Sequence, residues 1–327
     1  MLARRHVLIS LLATGCAGAG RSFAETDATL RLGALSPGAP TTAGSPLGKI
    51  LIGALADLGY APGRNLVFEA HGAMGDFAKL PVLVEQLRAA GARILVTQGY
   101  PAAVAGKDAG MPTVIFAGAG DPVATGLVES WAHPGGVVTG ISDVAAALTI
   151  KRLELLKAFS PGLKSVAMLW NEDDRAMTLR YQASAATAQI QGITVQPLGV
   201  REPDDFNGAF AAMDRDKPDA ILMVSDALTI LNRKRVFDYA AARRLPAIYE
   251  SDAYVREGGL MSYGADVRES VTRAASMIDR IFRGTRPGDI PFEQPTRYLF
   301  VFNSKTARAM GVEPSVTFLA QADDVIE

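Results

Sequence analysis

From Leu30 to Gly264 the chain alternates short apolar runs with stretches of helical periodicity. One architecture above all buries such an alternation: parallel strands joined by crossover helices, because a strand apolar on both faces needs a helical layer against each. The runs that read as strands are 30–35, 66–70, 93–97, 113–117, 165–170, 194–198, 220–224, 246–249 and 259–263, with 298–302 following after a gap. Between them, Leu47, Ile50, Leu51, Ala54, Leu55 and Leu58 recur at i, i+3, i+4, i+7, i+8 and i+11. This is one apolar helical stripe, and Gly59 stands where a left-handed cap would close it. Asp76 precedes a second helix ending at Ala90, which Pro81 forbids from starting before about Phe77. Further helices are predicted over 174–190, 205–214, 227–243, 267–282 and 305–310.

The rhythm breaks twice, at HPGGVVTGIS over 133–142 and at RGTRPGDIPFEQP over 283–295. A single core becomes awkward beyond roughly 250–300 residues. Two Rossmann-like α/β lobes with parallel sheets and a cleft between them account for the pattern better than one large sheet. The breaks divide the chain into a first lobe of 29–140 plus about 264–295, and a second of 141–263 plus about 296–327.

Residues 1–24 read as an export signal outside this fold. Arg4 and Arg5 form a positive start, Val7 to Ala13 an apolar core too short to span a bilayer, and Ser22-Phe23-Ala24 a cleavage site. Two routes stay open: cleavage after Ala24, by twin-arginine or general secretion, or lipidation of Cys16, the only cysteine. Either way the protein is expected to be periplasmic or otherwise extracytoplasmic. Cleavage after Ala24 would reduce 33 basic residues by three, leaving 30 against 34 acidic ones, a balance with no general attraction for nucleic acid.

In an open parallel sheet, ligands bind beyond the carboxyl ends of the strands. The residues at those ends are small, amide, hydroxyl or carboxyl: Ser36, Gln98, Asn171, Ser225 with Asp226, Ser251 and Tyr263. Gly99 permits a tight turn, and Tyr100, Pro101 and Ala102 open a helix there, positioned for a carboxylate. Tyr100 either stacks on a ligand or covers that helix end. Asp121, between Gly120 and Pro122, would meet an ammonium group or simply shape a turn, and Thr139 and Ser142 join the rim from the first break. The Ser, Asn and Asp residues among these also suit helix caps.

Catalytic patterns are scarce. His6, His71 and His133 have no metal-ligand spacing, and there is no G-x-S-x-G elbow, P-loop or H-E-x-x-H. Gly118-Ala119-Gly120 is half of a dinucleotide fingerprint, with Val123 where the third glycine belongs. No cofactor or metal is expected.

Beside this reading stand GYAPGRNLVFEA at 59–70, Lys79-Leu80-Pro81, GDPVATGLVESWAHPGGVVTGIS at 120–142, KRLELLKAFSP at 151–161, EGGLMSYGAD at 257–266 and FLAQADDVIE at 318–327. In content and order these segments resemble the ABC transporter substrate-binding proteins that include tryptophan- and tyrosine-binding lipoproteins. The resemblance implies a type I periplasmic-binding-protein fold that closes on a small solute and presents it to an ABC permease, without catalysis. Tyr100 replaces the family's usual Thr, Val137 its usual Asn, and NEDDR at 171–175 its Asn- and Pro-rich run. The expected function is capture of an amino-acid-like or aromatic carboxylate. A sensory subunit for a membrane kinase or chemoreceptor is the rival, and an exported α/β enzyme a weaker one.

Overall fold

The computed structural model describes residues 29–327, so the export signal and Cys16 lie outside the described residues. The first sheet is built from β1 (Leu30–Ser36), β2 (Leu66–Gly72), β3 (Ile94–Gln98), β4 (Thr113–Ala117) and β5 (Val138–Gly140), in spatial order β2-β1-β3-β4-β5 and parallel throughout. Helices α1 (Pro46–Asp57), α2 (Leu80–Ala89) and α3 (Tyr100–Asp108) make its early crossovers.

The chain then passes through α4 (Thr149–Phe159) into a second, seven-stranded sheet. This contains β6 (Ser165–Asn171), β7 (Thr194–Val200), β8 (Ala220–Met223), β9 (Ala247–Tyr249) and β10 (Met261–Ala265). Its crossovers are α5 (Arg175–Ile190), α6 (Asp205–Arg215), α7 (Ala227–Leu231), α8 (Arg233–Arg243) and α9 (Asp252–Arg256). After β10, α10 (Val267–Phe282) returns to the first sheet. The chain then comes back as β11 (Tyr298–Asn303), α11 (Ser304–Ala309), α12 (Val316–Leu319) and β12 (Asp324–Ile326). The second sheet runs β12-β11-β10-β9-β8-β6-β7. It is parallel except at β10–β11, where the returning chain pairs antiparallel with Met261 opposite Phe302.

Strand alternation sends side chains to two faces, and each face is covered. Leu30, Leu32 and Ala34 of β1 meet Leu51 and Leu55 of α1 and Val271, Ala274 and Ile278 of α10, while Leu35 and Leu95 meet Leu80, Val84 and Leu87 of α2. In the second sheet Val166, Met168 and Trp170 pack with α4 and α5, and Ala167 and Leu169 with Phe206 of α6 and Phe237 of α8. The segment after α10 covers β5: Thr139 Oγ1 donates to Ile290 O at 2.8 Å, and Ile141 bridges Glu293. No helix among the described residues is long and apolar enough to cross a membrane.

Two predicted helices differ in detail. The 76–90 stretch opens as a 3₁₀ turn at Phe77–Lys79, so that Pro81 falls in the first turn of α2, and Asn232 divides 227–243 into α7 and α8.

Candidate functional site

Both sheets share a topology in which the chain steps outward from its first strand and then restarts on the other side. The carboxyl ends of β1 and β3, and of β6 and β8, are therefore switch points, where connections leave to opposite faces and open a crevice. The two crevices border one cavity of about 450 Å³, within the range of small-molecule sites. The first sheet contributes the loop after β1, Ser36 to Thr41, with Gln98, Gly99 and Phe116 to Gly118. The second contributes Asp174, Met177, Ser225 to Ala227, Ile230, Glu250, Ser251 and Tyr254. Gly99 has φ +85°, and a Cβ there would stand 2.8 Å from Pro37 Cγ, so only glycine lets the β3–α3 turn pass this close to the β1 loop.

Beside the cavity lies a buried four-charge network. Arg152 of α4 donates from Nε to Tyr263 O at 2.7 Å, and from Nη1 to Ala145 O at 2.7 Å and Glu250 Oε1 at 3.2 Å. Arg180 of α5 reaches Glu250 Oε2 at 2.8 Å and both oxygens of Asp143 at 2.7 and 2.8 Å. Burial lowers the pKa of Arg152 against the pull of Glu250. At Arg180 burial works the same way, but Asp143 and Glu250 overcome it and the pKa is raised. Asp143 also accepts Gly118 N–H at 3.3 Å, so this residue of the connection between the sheets ties the end of β4 to α5.

Two further carboxyls stand at the β6/β8 switch point. Asp174 caps α5, its Oδ1 accepting Ala176 N–H at 2.9 Å and Met177 N–H at 3.2 Å, and Asp226 caps α7 through Thr229. They are 2% and 7% exposed. Burial, then the charge of Asp226, pushes Asp174 up to about 7, and burial also raises Asp226 against hydrogen bonds from Thr229 and Asn171.

Of the rim residues singled out in the sequence, Ser36, Gln98, Ser225, Asp226 and Ser251 line the cavity. Asn171 stands behind, donating from Nδ2 to Asp226 Oδ2. The others lie outside the lining, each for a local reason. Tyr100 packs between apolar clusters of the two sheets with its hydroxyl 3.4 Å from Thr125 O, Pro101 sits in the first turn of α3, and Ala102 is core. Asp121 caps its own turn, accepting Val123 and Ala124 N–H at 2.9 and 3.0 Å. Thr139 is bound to Ile290, and Ser142 Oγ donates to Gly120 O at 2.8 Å. Tyr263 offers its carbonyl to Arg152 and stacks its ring on Tyr298. Arg152, Arg180, Asp143 and Asp174 escaped the sequence reading. The signal for the arginines was a charge on a buried helical stripe: Thr149, Arg152, Leu153 and Leu156 in α4, and Ala176, Met177, Arg180 and Ser184 in α5.

Residues 48–326 match the family of ABC transporter substrate binding proteins. The chain belongs to that family. Among its relatives is a tyrosine-binding protein of Clostridioides difficile, 25% identical over 267 residues, covering 81% of this chain and 76% of the relative. Among solved structures, a conserved domain protein from Vibrio cholerae superposes with TM-score 0.83 at 24% identity, covering 91% of this chain and all of that one. An ABC domain from Streptococcus pneumonia in complex with L-Trp superposes with TM-score 0.76 at 26% identity, covering 90% and 100%. The architecture is the type I one shared with periplasmic binding proteins and LacI-like regulators. As a substrate-binding protein of an ABC transporter, the chain is a binding protein rather than an enzyme, and its place is extracytoplasmic.

Proposed function

We propose that this substrate-binding protein captures a small amino-acid-like or aromatic carboxylate by closing two lobes on it and delivers it to an ABC permease. The observation that carries the reading is the cavity itself, walled from the switch points of both sheets and of small-molecule size. The L-Trp complex and the tyrosine-binding relative support an aromatic amino acid as the first ligand to try. The lobes are 29–140 with about 264–295, and 141–263 with about 296–327. Ser36, Gln98, Ser225, Asp226 and Ser251 are the proposed contacts from the rim.

A thermal-shift screen of amino acids, aromatic acids and related metabolites tests this, since a ligand that binds only the native state raises the midpoint by mass action. A hit confirmed by calorimetry at one site per chain is expected. Silence across amino acids and aromatic acids, with a sugar or nucleoside raising the midpoint instead, would overturn the ligand class. The export route is tested by mass spectrometry of the protein from its host: an N-terminus at Glu25 or a lipidated Cys16 is expected, and an intact Met1 would refute both.

A further inference from the structure

We propose that the cavity holds the cationic group of its solute between Asp174 and Asp226, and that binding there expels a proton. The proposal rests on the substrate-binding reading and names a part of the ligand and the residues that select it.

The charges around the cavity pair off, with two carboxylates left over. Arg152 and Arg180 are matched by Asp143 and Glu250, and Arg233 by Glu257. Asp174 and Asp226 have no cation of their own among the described residues. The groups facing Asp174 are Asp226 from the start of α7, Arg180 from α5 and Tyr100 from α3, and Arg175, next in sequence, acts on Tyr100. The charge of Arg180 is already shared between Asp143 and Glu250.

Asp174 lines the cavity, and both its hydrogen bonds use Oδ1; Oδ2 accepts none among the described residues. Independently, Arg152 Nη2 is buried in the wall of the same cavity without a hydrogen-bond partner. Buried polar atoms are as a rule paired, so the buried, unpaired Arg152 Nη2 on the same cavity as a carboxylate oxygen that accepts no hydrogen bond points to a polar, zwitterionic ligand. Two buried carboxyls at adjacent strand ends resist ionising together and share the shortage of charge by keeping a proton. An ammonium group brought to Oδ2 removes that resistance: the carboxyl proton leaves to solvent, and the carboxylate and ammonium form a charged hydrogen bond. Atoms and charge balance with one proton released per cation bound.

The experiment uses three sets of probes by calorimetry and thermal shift. L-tryptophan and L-tyrosine carry both charges, tryptamine and tyramine only the amine, and indole-3-propionate and 3-(4-hydroxyphenyl)propionate only the carboxylate. Binding is measured at about pH 5.5 and about pH 8, on either side of the raised Asp174 value. Amine-bearing probes should bind about 10-fold or more tightly at about pH 8, and at about pH 5.5, where the carboxyl still holds its proton, should release it on binding, seen as a dependence of the heat on the buffer's ionisation enthalpy. Asp174→Asn keeps a good cap, so it should fold. It should weaken amine-bearing probes by about 10- to 100-fold and flatten their pH dependence. Carboxylate-only probes that bind as tightly as the amino acids, or a pH slope that survives in Asp174→Asn, overturn the proposal.

A ligand-free measurement separates this from the wider reading. A carboxyl whose folded pKa is raised keeps a proton that the unfolded chain has lost. The wild type should therefore lose stability relative to Asp174→Asn as pH rises from about 4 through about 7. A difference that stays flat over that window refutes the proton-holding site whatever binds. A sloping difference with no probe bound supports the proton-holding pair and counts against aromatic amino-acid chemistry in the proposed function.

Discussion

Glu250 sits between two guanidinium groups and also accepts Ser225 N–H at 3.0 Å, so its carboxylate joins α4, α5 and the end of β8 at one point. Removing one member of a buried ion cluster leaves the others charged and desolvated. Glu250→Ala should cost about 3–5 kcal/mol. The exposed Lys234–Asp238 pair, one turn apart on α8, is the contrast: Lys234→Ala should change stability by no more than about 0.5 kcal/mol. Urea denaturation of the two variants measures both, and equal losses would mean that the cluster contributes nothing beyond a surface pair. The network also shows why only part of the site was legible in the sequence. Ser225 and Asp226 follow an apolar run directly, and strand-end logic finds them. Asp174 lies three residues past β6, and nothing local tells whether Asn171, Asp173 or Asp174 turns inward. That depends on the cap of α5 and on Asp226 from a neighbouring strand. Asp121 is the reverse case, a carboxylate at a strand-end loop whose Oδ1 accepts from its own turn and which lies outside the cavity lining.

α10 carries the most coherent amphipathic pattern among the helices, with Val271, Ala274, Ala275, Met277, Ile278 and Ile281 buried and arginines toward solvent. Its apolar face packs on α1 and β4 of the first sheet, although the preceding strand belongs to the second. Tyr60 fastens it further, donating to Asp279 Oδ1 at 2.6 Å and meeting Phe282 edge-on. Ile278→Ala would open a cavity in that seam and should cost about 2–5 kcal/mol, measured by denaturant midpoint, with solute affinity at 25 °C little changed. A loss below about 0.5 kcal/mol would mean that the seam repacks around the gap. Elements of this kind were readable because period and length agree. β5 and β12 were not, because Val138-Thr139-Gly140 and Asp324-Val325-Ile326 are short runs interrupted by polar or glycine residues, unlike the apolar 246–249 run that became β9. Val138–Gly140 becomes a strand only by pairing with β4 beneath the 283–295 segment, and Asp324–Ile326 only by pairing with β11. β11 was readable as a strand at 298–302, but its antiparallel direction was not, since that follows from where α10 leaves the chain and not from its own residues.

The two sheets are joined where the chain passes from β5 to α4, from β10 to α10 and from the 283–295 segment to β11. The first connection holds Asp143, clamped by Arg180, followed by Val144 at φ +44°, a left-handed conformation that a β-branched residue adopts only against strain of about 1–3 kcal/mol. Beside the cavity the loops of the two sheets lie close together. A methyl placed on Gly38 would stand 3.7 Å from Ala227 Cβ, and one on Gly120 3.1 Å from Ala176 Cβ. If solute capture requires this close approach of the loops, apparent affinity scales with the fraction of molecules that reach it. Ala227→Trp puts a wedge against the Gly38 loop at the start of α7 while leaving the Asp174 cap and the charge network in place. It should raise the radius of gyration in small-angle scattering, keep the ligand-free melting midpoint within a few degrees, and weaken the solute by about 10-fold for each tenfold loss of closed population. The wild type should contract on adding the same solute, and the wedged variant should contract less. A variant with unchanged scattering and undiminished affinity would show that closure at this contact plays no part in binding.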